Sequence, residues 1–132
     1  MFQQLVPEGW AQPKGYSNGL VTQGKLIILG GQIGWNAQQE FASDDFVEQT
    51  RQTLQNIVDL LAEAGAGPEN FARLTWFITD RDAYLANQKA IGSAYRDVMG
   101  RHFPTMSVVQ VVKLMEERAL VEIEATAVIP DP

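Results

Sequence analysis

The carboxy-terminal segment of the chain, residues 100–130 (GRHFPTMSVVQVVKLMEERALVEIEATAVIP), constrains the fold most. It holds the longest apolar run and closely spaced carboxylates on an apolar background. Residues 107–114 are rich in valine and residues 119–129 alternate in polarity, while residues 115–118 are the only polar break between them. Two strand-like runs joined by a short polar connection predict a β-hairpin.

The second strand of this hairpin has two different faces. Successive side chains of a strand point to opposite sides. One side therefore takes Val121, Ile123, Ala125 and Ala127, and the other takes Leu120, Glu122, Glu124, Thr126 and Val128. The first side is expected to face the core. Glutamates at this spacing usually mark a solvated sheet face, but a carboxylate in a pocket gives the same pattern, and both interpretations remain open at this point.

Composition limits the class of protein. A chain of 132 residues, 45% of them hydrophobic, has the size and core of one globular domain. The formal net charge of −6 and the lack of a Lys/Arg cluster argue against a nucleic-acid binder. With no cysteine, disulfides, thiol nucleophiles and Cys-based metal sites are excluded. The first ten residues do not resemble a signal peptide, and no apolar run has membrane-spanning length, so we expect a cytoplasmic protein without membrane contact.

Spacing of apolar residues and turn signals predict the remaining elements. They are a short edge strand over residues 2–6, a hairpin of residues 16–22 and 25–30 around Gln23-Gly24, a helix after cap residues 43–45 running up to Gly65, a strand over residues 71–79, and a second helix from residues 80–82 to Gly100. This order predicts an α+β fold with two helices on one face of a sheet. The glycines of residues 30–36 match neither a dinucleotide nor a Walker loop, so no phosphate-bearing cofactor is expected.

The uncovered face of such a sheet is expected to be apolar. Val109, Val111 and Val121, or their neighbours, would be exposed there in a monomer. Soluble monomers rarely expose contiguous apolar patches of this kind. We therefore expect an oligomer that buries the face.

Several short motifs, in their order and spacing, resemble one family. They are GYS (residues 15–17), GGQI (30–33), EQT with LQNI (48–50 and 54–57), AGA (64–66), FPTMS (103–107) and VEIEA (121–125). Together they resemble the RidA (YjgF) family of reactive-intermediate deaminases across nearly the whole chain. The resemblance implies a chorismate-mutase-like α+β fold, a homotrimer, and a small-molecule pocket at each subunit interface. It also implies hydrolysis of enamine or imine intermediates to a keto acid and ammonia, without metal or cofactor.

The resemblance also assigns roles to residues. Glu122 would hold the attacking water and exchange protons with the departing nitrogen, while Tyr16 and the backbones of Gly31 and Val108 would contact the substrate. Members of the family grip the substrate carboxylate with an arginine, and Met106 stands at that position. A thioether lacks the charge and the donors of a guanidinium, so an interaction of roughly 1.5–3 kcal/mol is lost. Glu122 could equally be a structural acceptor, and Glu124 points to the same side.

Other residues have weaker signals. His102, the only histidine, is more simply a loop residue than a base or an anion ligand beside Arg101, and it cannot form a metal site alone. Trp35, Trp76 and Phe77 would favour an apolar substrate if they line the pocket, although large aromatics are more often core or interface residues.

Two functions remain open after these observations. The first is an imine or enamine hydrolase whose substrate is not a small 2-imino acid. The second is a trimeric small-molecule binding or sensing protein that kept the fold and lost the chemistry. The ribonuclease activity of some relatives fits poorly with the acidic charge.

Overall fold

The fold is a mixed β-sheet with helices packed on one side. The computed structural model describes residues 2–132. Its elements are β1 (Gln3–Gln4), β2 (Leu20–Val21), β3 (Gly24–Ile33), α1 (Phe46–Glu63), a 3-10 turn (Pro68–Asn70), β4 (Phe71–Ile78), α2 (Arg81–Ala86), α3 (Gln88–Met99), β5 (Thr105–Gln110) and β6 (Val121–Pro130). The predicted α+β class is confirmed.

The four long strands form one sheet in the order β3-β6-β4-β5. Strand β6 runs antiparallel to both β3 and β4, whereas β5 runs parallel to β4 after the crossover through α2 and α3. The predicted hairpin of residues 107–114 and 119–129 is therefore wrong, because β4 lies between its two strands. A polar break fixes where strands end but not which strands pair. The apolar inner face of β6 is almost fully buried because the strand is central.

The predicted hairpin around Gln23-Gly24 is also wrong. Strand β2 pairs with β1 in a separate two-stranded sheet, and β3 pairs with β6. Gly24 does not turn the chain; it is the first residue of β3, with a φ of 146° and the backbone of Ile129 packed against it. The short strand expected within residues 2–6 is present as β1.

The first predicted helix is confirmed and the second is divided. The Asp45 side chain caps α1 by accepting a hydrogen bond from the Glu48 amide, and Gly65 follows the helix with a φ of 73°. The second helix is interrupted at Asn87, which has a φ of −119° and donates its side-chain amide to the Ala83 carbonyl. This local hydrogen bond competes with the helical pattern, so α2 ends and α3 begins there. Gly100 ends α3 as expected.

The sheet separates a buried side from an exposed one. Buried side chains of α1 and α3 pack on one side with Leu74, Trp76 and Ile123. We call the other side the open face. It carries Leu26, Ile28, Phe77, Val109, Glu122 and Glu124. Leu26, Ile28 and Val109 are 58%, 72% and 43% exposed, so this side exposes large apolar side chains, as predicted for Val109, beside its two glutamates.

Two of the residues expected on this side lie elsewhere. Val121 is fully buried under the helices, so its predicted exposure is wrong, because the alternation of β6 turns it to the core. Val111 lies just beyond the end of β5. Within residues 2–132, no helix has the length and apolar character needed to cross a membrane.

Candidate functional site

A cavity of about 550 Å³ opens on the helical side of the sheet, where α2 and α3 meet the edge strand β5. This volume is ordinary for a small-molecule site. We call it the helix-side pocket. It is lined by Lys14, Gly15, Tyr16, Trp76, Tyr84, Gln88, Ile91, Gly92, Tyr95, Arg96, Phe103, Met106 and Val108.

Two of the predicted substrate-binding residues reach this pocket from β5. Met106 and Val108 stand opposite Leu74 and Trp76 of β4 in register, and all four side chains point to the helical side. Both are half-buried rather than fully enclosed because β5 is an edge strand. Their side chains thus form an apolar wall that offers no strong hydrogen-bond donor.

A third predicted residue, Tyr16, is held beside this wall by its neighbour Ser17. The Ser17 hydroxyl donates to the Phe103 carbonyl over 2.6 Å, and its amide donates to the Pro104 carbonyl over 3.0 Å. The Tyr16 ring is 43% exposed, so its phenol is accessible from the pocket. The structure therefore brings Tyr16, Met106 and Val108 together.

Aromatic rings make the floor and the far wall. Tyr95 stacks on Phe103 with ring centroids 5.8 Å apart, and Tyr84 meets Trp76 edge-on at 6.4 Å. The Tyr95 hydroxyl donates to the His102 carbonyl over 2.7 Å, and burial raises the pKa of this phenol well above its usual value. Tyr95 is therefore a neutral structural residue of the pocket rather than an acid or base.

The remaining two predicted residues, Glu122 and Gly31, lie side by side on the open face. Gly30 and Gly31 form a bulge in β3, where the pairing with β6 shifts between Leu29 and Gln32. A Cβ at position 31 would lie 2.8 Å from Glu122 Cδ, and closer still to Oε2. The half-buried carboxylate of Glu122 thus rests directly on the Gly31 backbone, and only glycine leaves room for it.

Within one chain, the five predicted site residues therefore form two groups. Tyr16, Met106 and Val108 lie on the helical side, whereas Gly31 and Glu122 lie on the other side of the sheet. A water held by Glu122 cannot reach a ligand in the helix-side pocket of the same chain. Glu124 shares the open face with Glu122 and is more exposed.

The weaker candidates are mostly structural. The Nε2 atom of His102 lies 2.7 Å from the Phe71 carbonyl, and its ring stacks on Phe2. Of the three aromatics, Trp76 lines the pocket, Trp35 packs on Phe41, and Phe77 lies on the open face. No group of three or more His, Asp or Glu side chains with metal-binding geometry occurs in residues 2–132.

Sequence reasoning missed the contribution of α3 to the pocket. Gln88, Ile91, Gly92, Tyr95 and Arg96 all line it. Their spacing of three, four, seven and eight residues is that of one helix face, which a periodicity analysis detects.

Two side-chain amides, one buried and one half-buried, also have roles that the motifs did not reveal. Gln49 accepts from the Leu120 amide and donates to the carbonyls of Ser43 and Arg118, which ties the loop before β6 to α1. Asn56 donates to the Ile33 and Trp35 carbonyls at the end of β3. These contacts fix the strands that carry Glu122 and Gly31.

The fold and the two groups of residues define a class of protein. It is a small α+β protein with a ligand-sized cavity on one face of its sheet and a carboxylate supported by a glycine bulge on the other. The family model described as Endoribonuclease L-PSP matches residues 10–129. The chain belongs to this family, which is the RidA (YjgF) family that its motifs resemble.

Individual relatives agree with this assignment. TdcF of Escherichia coli, which is named as a reactive intermediate deaminase, is 32% identical over 111 residues, covering 82% of each chain. A RutC family protein of Haemophilus influenzae is 31% identical over 108 residues and also covers 82% of each chain. The Rid-family protein YyfB from Yersinia pestis superposes with a TM-score of 0.85 at 30% identity, over 97% of this chain and 98% of that one.

Proposed function

We propose that the protein hydrolyses the C=N bond of an imine, or of the enamine in equilibrium with it. The observation that carries this proposal is the close approach of the Glu122 carboxylate to the Gly31 backbone in a chain of the RidA family. The name of TdcF, a reactive intermediate deaminase, points to the same chemistry. A bound water and one carboxylate are sufficient for this reaction.

Glu122 is the acid and base of the proposed mechanism. Its carboxylate accepts a proton from a bound water as that water attacks the imine carbon, and passes this proton to the nitrogen, which gives a carbinolamine. The carboxylate then accepts the hydroxyl proton of the carbinolamine and passes it to the nitrogen as the C–N bond breaks, so that ammonia leaves and the carbonyl forms. The imine and one water thus give one carbonyl compound and one ammonia. The Gly31 bulge leaves the space that the carboxylate occupies, and no side chain of residues 2–132 hydrogen-bonds the carboxylate.

The site is proposed to be shared between protomers of a homotrimer. Within one chain, Glu122 and the helix-side pocket lie on opposite sides of the sheet. A shared site therefore takes Glu122 from one protomer and the pocket from its neighbour. The open face also exposes Leu26, Ile28 and Val109, which a monomer would leave in water. Burying this face against a neighbour would bring Glu122 to the pocket of the next protomer. Sedimentation equilibrium tests this, and a stable monomer would contradict it.

The substrate is proposed to be an imine other than that of a small 2-imino acid. Met106 places a thioether where family members have a substrate-binding arginine, and Val108 beside it is aliphatic. The aromatic walls of the pocket instead favour a bulky apolar group. The acidic charge of the chain disfavours RNA as a substrate.

The experiment follows keto-acid release from imines generated in place by an amino-acid oxidase. We expect the wild type to exceed the spontaneous rate for imines of bulky amino acids, and Glu122→Gln to remove the excess. Met106→Arg should increase the rate on small 2-imino acids. If wild type and Glu122→Gln are equally inert on every imine, the hydrolase proposal is wrong.

The second candidate function is a trimeric small-molecule binding or sensing protein. The observation that favours it is Met106, which replaces the arginine that binds the substrate carboxylate in the family. The cavity itself is still present, so it could bind a ligand without catalysing the reaction. This function predicts that small aromatic compounds raise the melting temperature while no imine is hydrolysed.

A further inference from the structure

The helix-side pocket is positively charged although the chain is acidic. Its lining includes Lys14 and Arg96 and contains no aspartate or glutamate, whereas the formal net charge of the chain is −6. A cavity that concentrates one sign of charge attracts ligands of the other sign. This local reversal of charge points to an anionic ligand.

Arg96 has no partner within residues 2–132. The two ion pairs found there join Arg51 to Asp97 and Arg118 to Asp44. Asp97, the neighbour of Arg96 in sequence, is thus already engaged by another arginine. The Arg96 guanidinium keeps its fork of N–H donors, whose geometry matches a carboxylate.

Gly92 gives this guanidinium its position. A Cβ built at Gly92 would lie 3.2 Å from Arg96 Nη1, so the arginine folds back over the preceding turn of α3 toward the cavity. Glycine is among the least favoured residues in a helix interior. Its presence at a position that lines the pocket leaves the space that the guanidinium uses.

We propose that Arg96, assisted by Lys14, binds the carboxylate of a ligand whose body is aromatic or branched and apolar. The anchor then comes from α3, while the strand position at Met106 contributes only apolar contact. The inference rests on the proposed function, and it narrows the substrate to the imine of a bulky amino acid. Arg96 is a specificity-determining residue and takes no part in the proton transfers.

The test compares two probes of nearly the same shape, 3-phenylpropanoate and 3-phenylpropanamide, by isothermal titration calorimetry. We expect the wild type to bind the carboxylate about five- to tenfold more tightly than the amide. Arg96→Gln should remove most of this preference, because Lys14 alone remains to attract the carboxylate. Added salt should reduce the ratio of the affinities for the carboxylate and the amide in the wild type, because it screens the charge of Arg96.

Arg81→Gln is the matched control, because Arg81 is an exposed arginine outside the pocket. It should keep the full preference. The proposal is overturned if the wild type binds both probes equally, binds neither at millimolar concentration, or loses the preference as much with Arg81→Gln as with Arg96→Gln.

The probes are not imines, so this result is independent of catalysis. If the carboxylate probe binds through Arg96 but no imine is hydrolysed, the proposal of imine hydrolysis is wrong and the proposal of carboxylate binding by Arg96 stands. Hydrolysis that does not respond to Arg96→Gln, with no preference between the probes, would contradict the anchor alone.

Discussion

Replacing Gly31 with alanine should displace the Glu122 carboxylate while leaving the fold intact. The added Cβ would lie 2.8 Å from Glu122 Cδ and 2.9 Å from Cγ. Comfortable contacts between such atoms are about 3.5–4.0 Å, so the carboxylate must move by about 1 Å. A shift of that size in a catalytic group lowers the rate by about 100-fold. Because the half-buried side chain can turn toward solvent, the free energy of unfolding should fall by about 1 kcal/mol or less.

The assay measures kcat/KM for imine hydrolysis beside the urea midpoint of unfolding. Gly30→Ala is the matched control, because a Cβ at that position meets no atom within 4 Å. We expect Gly30→Ala to keep most of the activity and Gly31→Ala to behave like Glu122→Gln. Equal activity in the two alanine variants would refute the placement of the catalytic carboxylate on Gly31.

Three further variants test the scaffold and the pocket. Gln49→Leu removes the side-chain partner of three part-buried backbone groups and should lower the free energy of unfolding by about 2 kcal/mol, whereas Gln55→Leu at an exposed position should change it by less than about 0.5 kcal/mol in urea titrations. A similar loss in both would contradict the buried role. Burial raises the pKa of Tyr95, so the folded state holds this proton more tightly than the unfolded state; the stability it contributes is full below about pH 10 and lost at higher pH. In Tyr95→Phe, the free energy of unfolding should decrease less steeply above about pH 10 than in the wild type. An equally steep decrease would contradict a raised pKa for Tyr95. Gly92→Ala should raise the free energy of unfolding by up to about 1 kcal/mol, because alanine is favoured over glycine in a helix interior. The added Cβ would lie 3.2 Å from Arg96 Nη1, a flexible end that can move aside, so the variant should also show a smaller preference for the carboxylate probe. An unchanged preference would show that the space over Gly92 is not needed.

Local patterns predicted the individual elements well. The cap at Asp45 and the glycine at position 65 bound α1 as expected, and the alternation of β6 placed Ile123 inside and Glu122 outside. These features depend on neighbours in sequence, so periodicity and capping rules capture them.

Strand pairing was not predictable in the same way. Short polar breaks preceded both β3 and β6, and both breaks suggested hairpins. In the structure β6 instead pairs with strands distant in sequence, β3 and β4. Pairing depends on how much apolar surface each strand must bury across the whole sheet. A single sequence shows which strands have apolar faces to bury, but not which strands pair with one another.

The two halves of the site were predictable only separately. The motifs pointed to Glu122 and Met106, but their assignment to opposite faces follows from the parallel placement of β5 beside β4. The role of Arg96 depends on the space over Gly92, which no spacing rule describes.

Complementation between two inactive variants tests most directly whether Glu122 of one protomer acts in the pocket of the next. Glu122→Gln keeps the pocket, and Met106→Trp, which fills the cavity, keeps the carboxylate. In a random equal mixture of the two chains, about one quarter of the shared sites combine an intact pocket with an intact Glu122. We expect the mixed oligomers to recover about one quarter of the wild-type rate of imine hydrolysis. A mixture no more active than its two parents, beside an active wild type, would contradict a site shared between protomers.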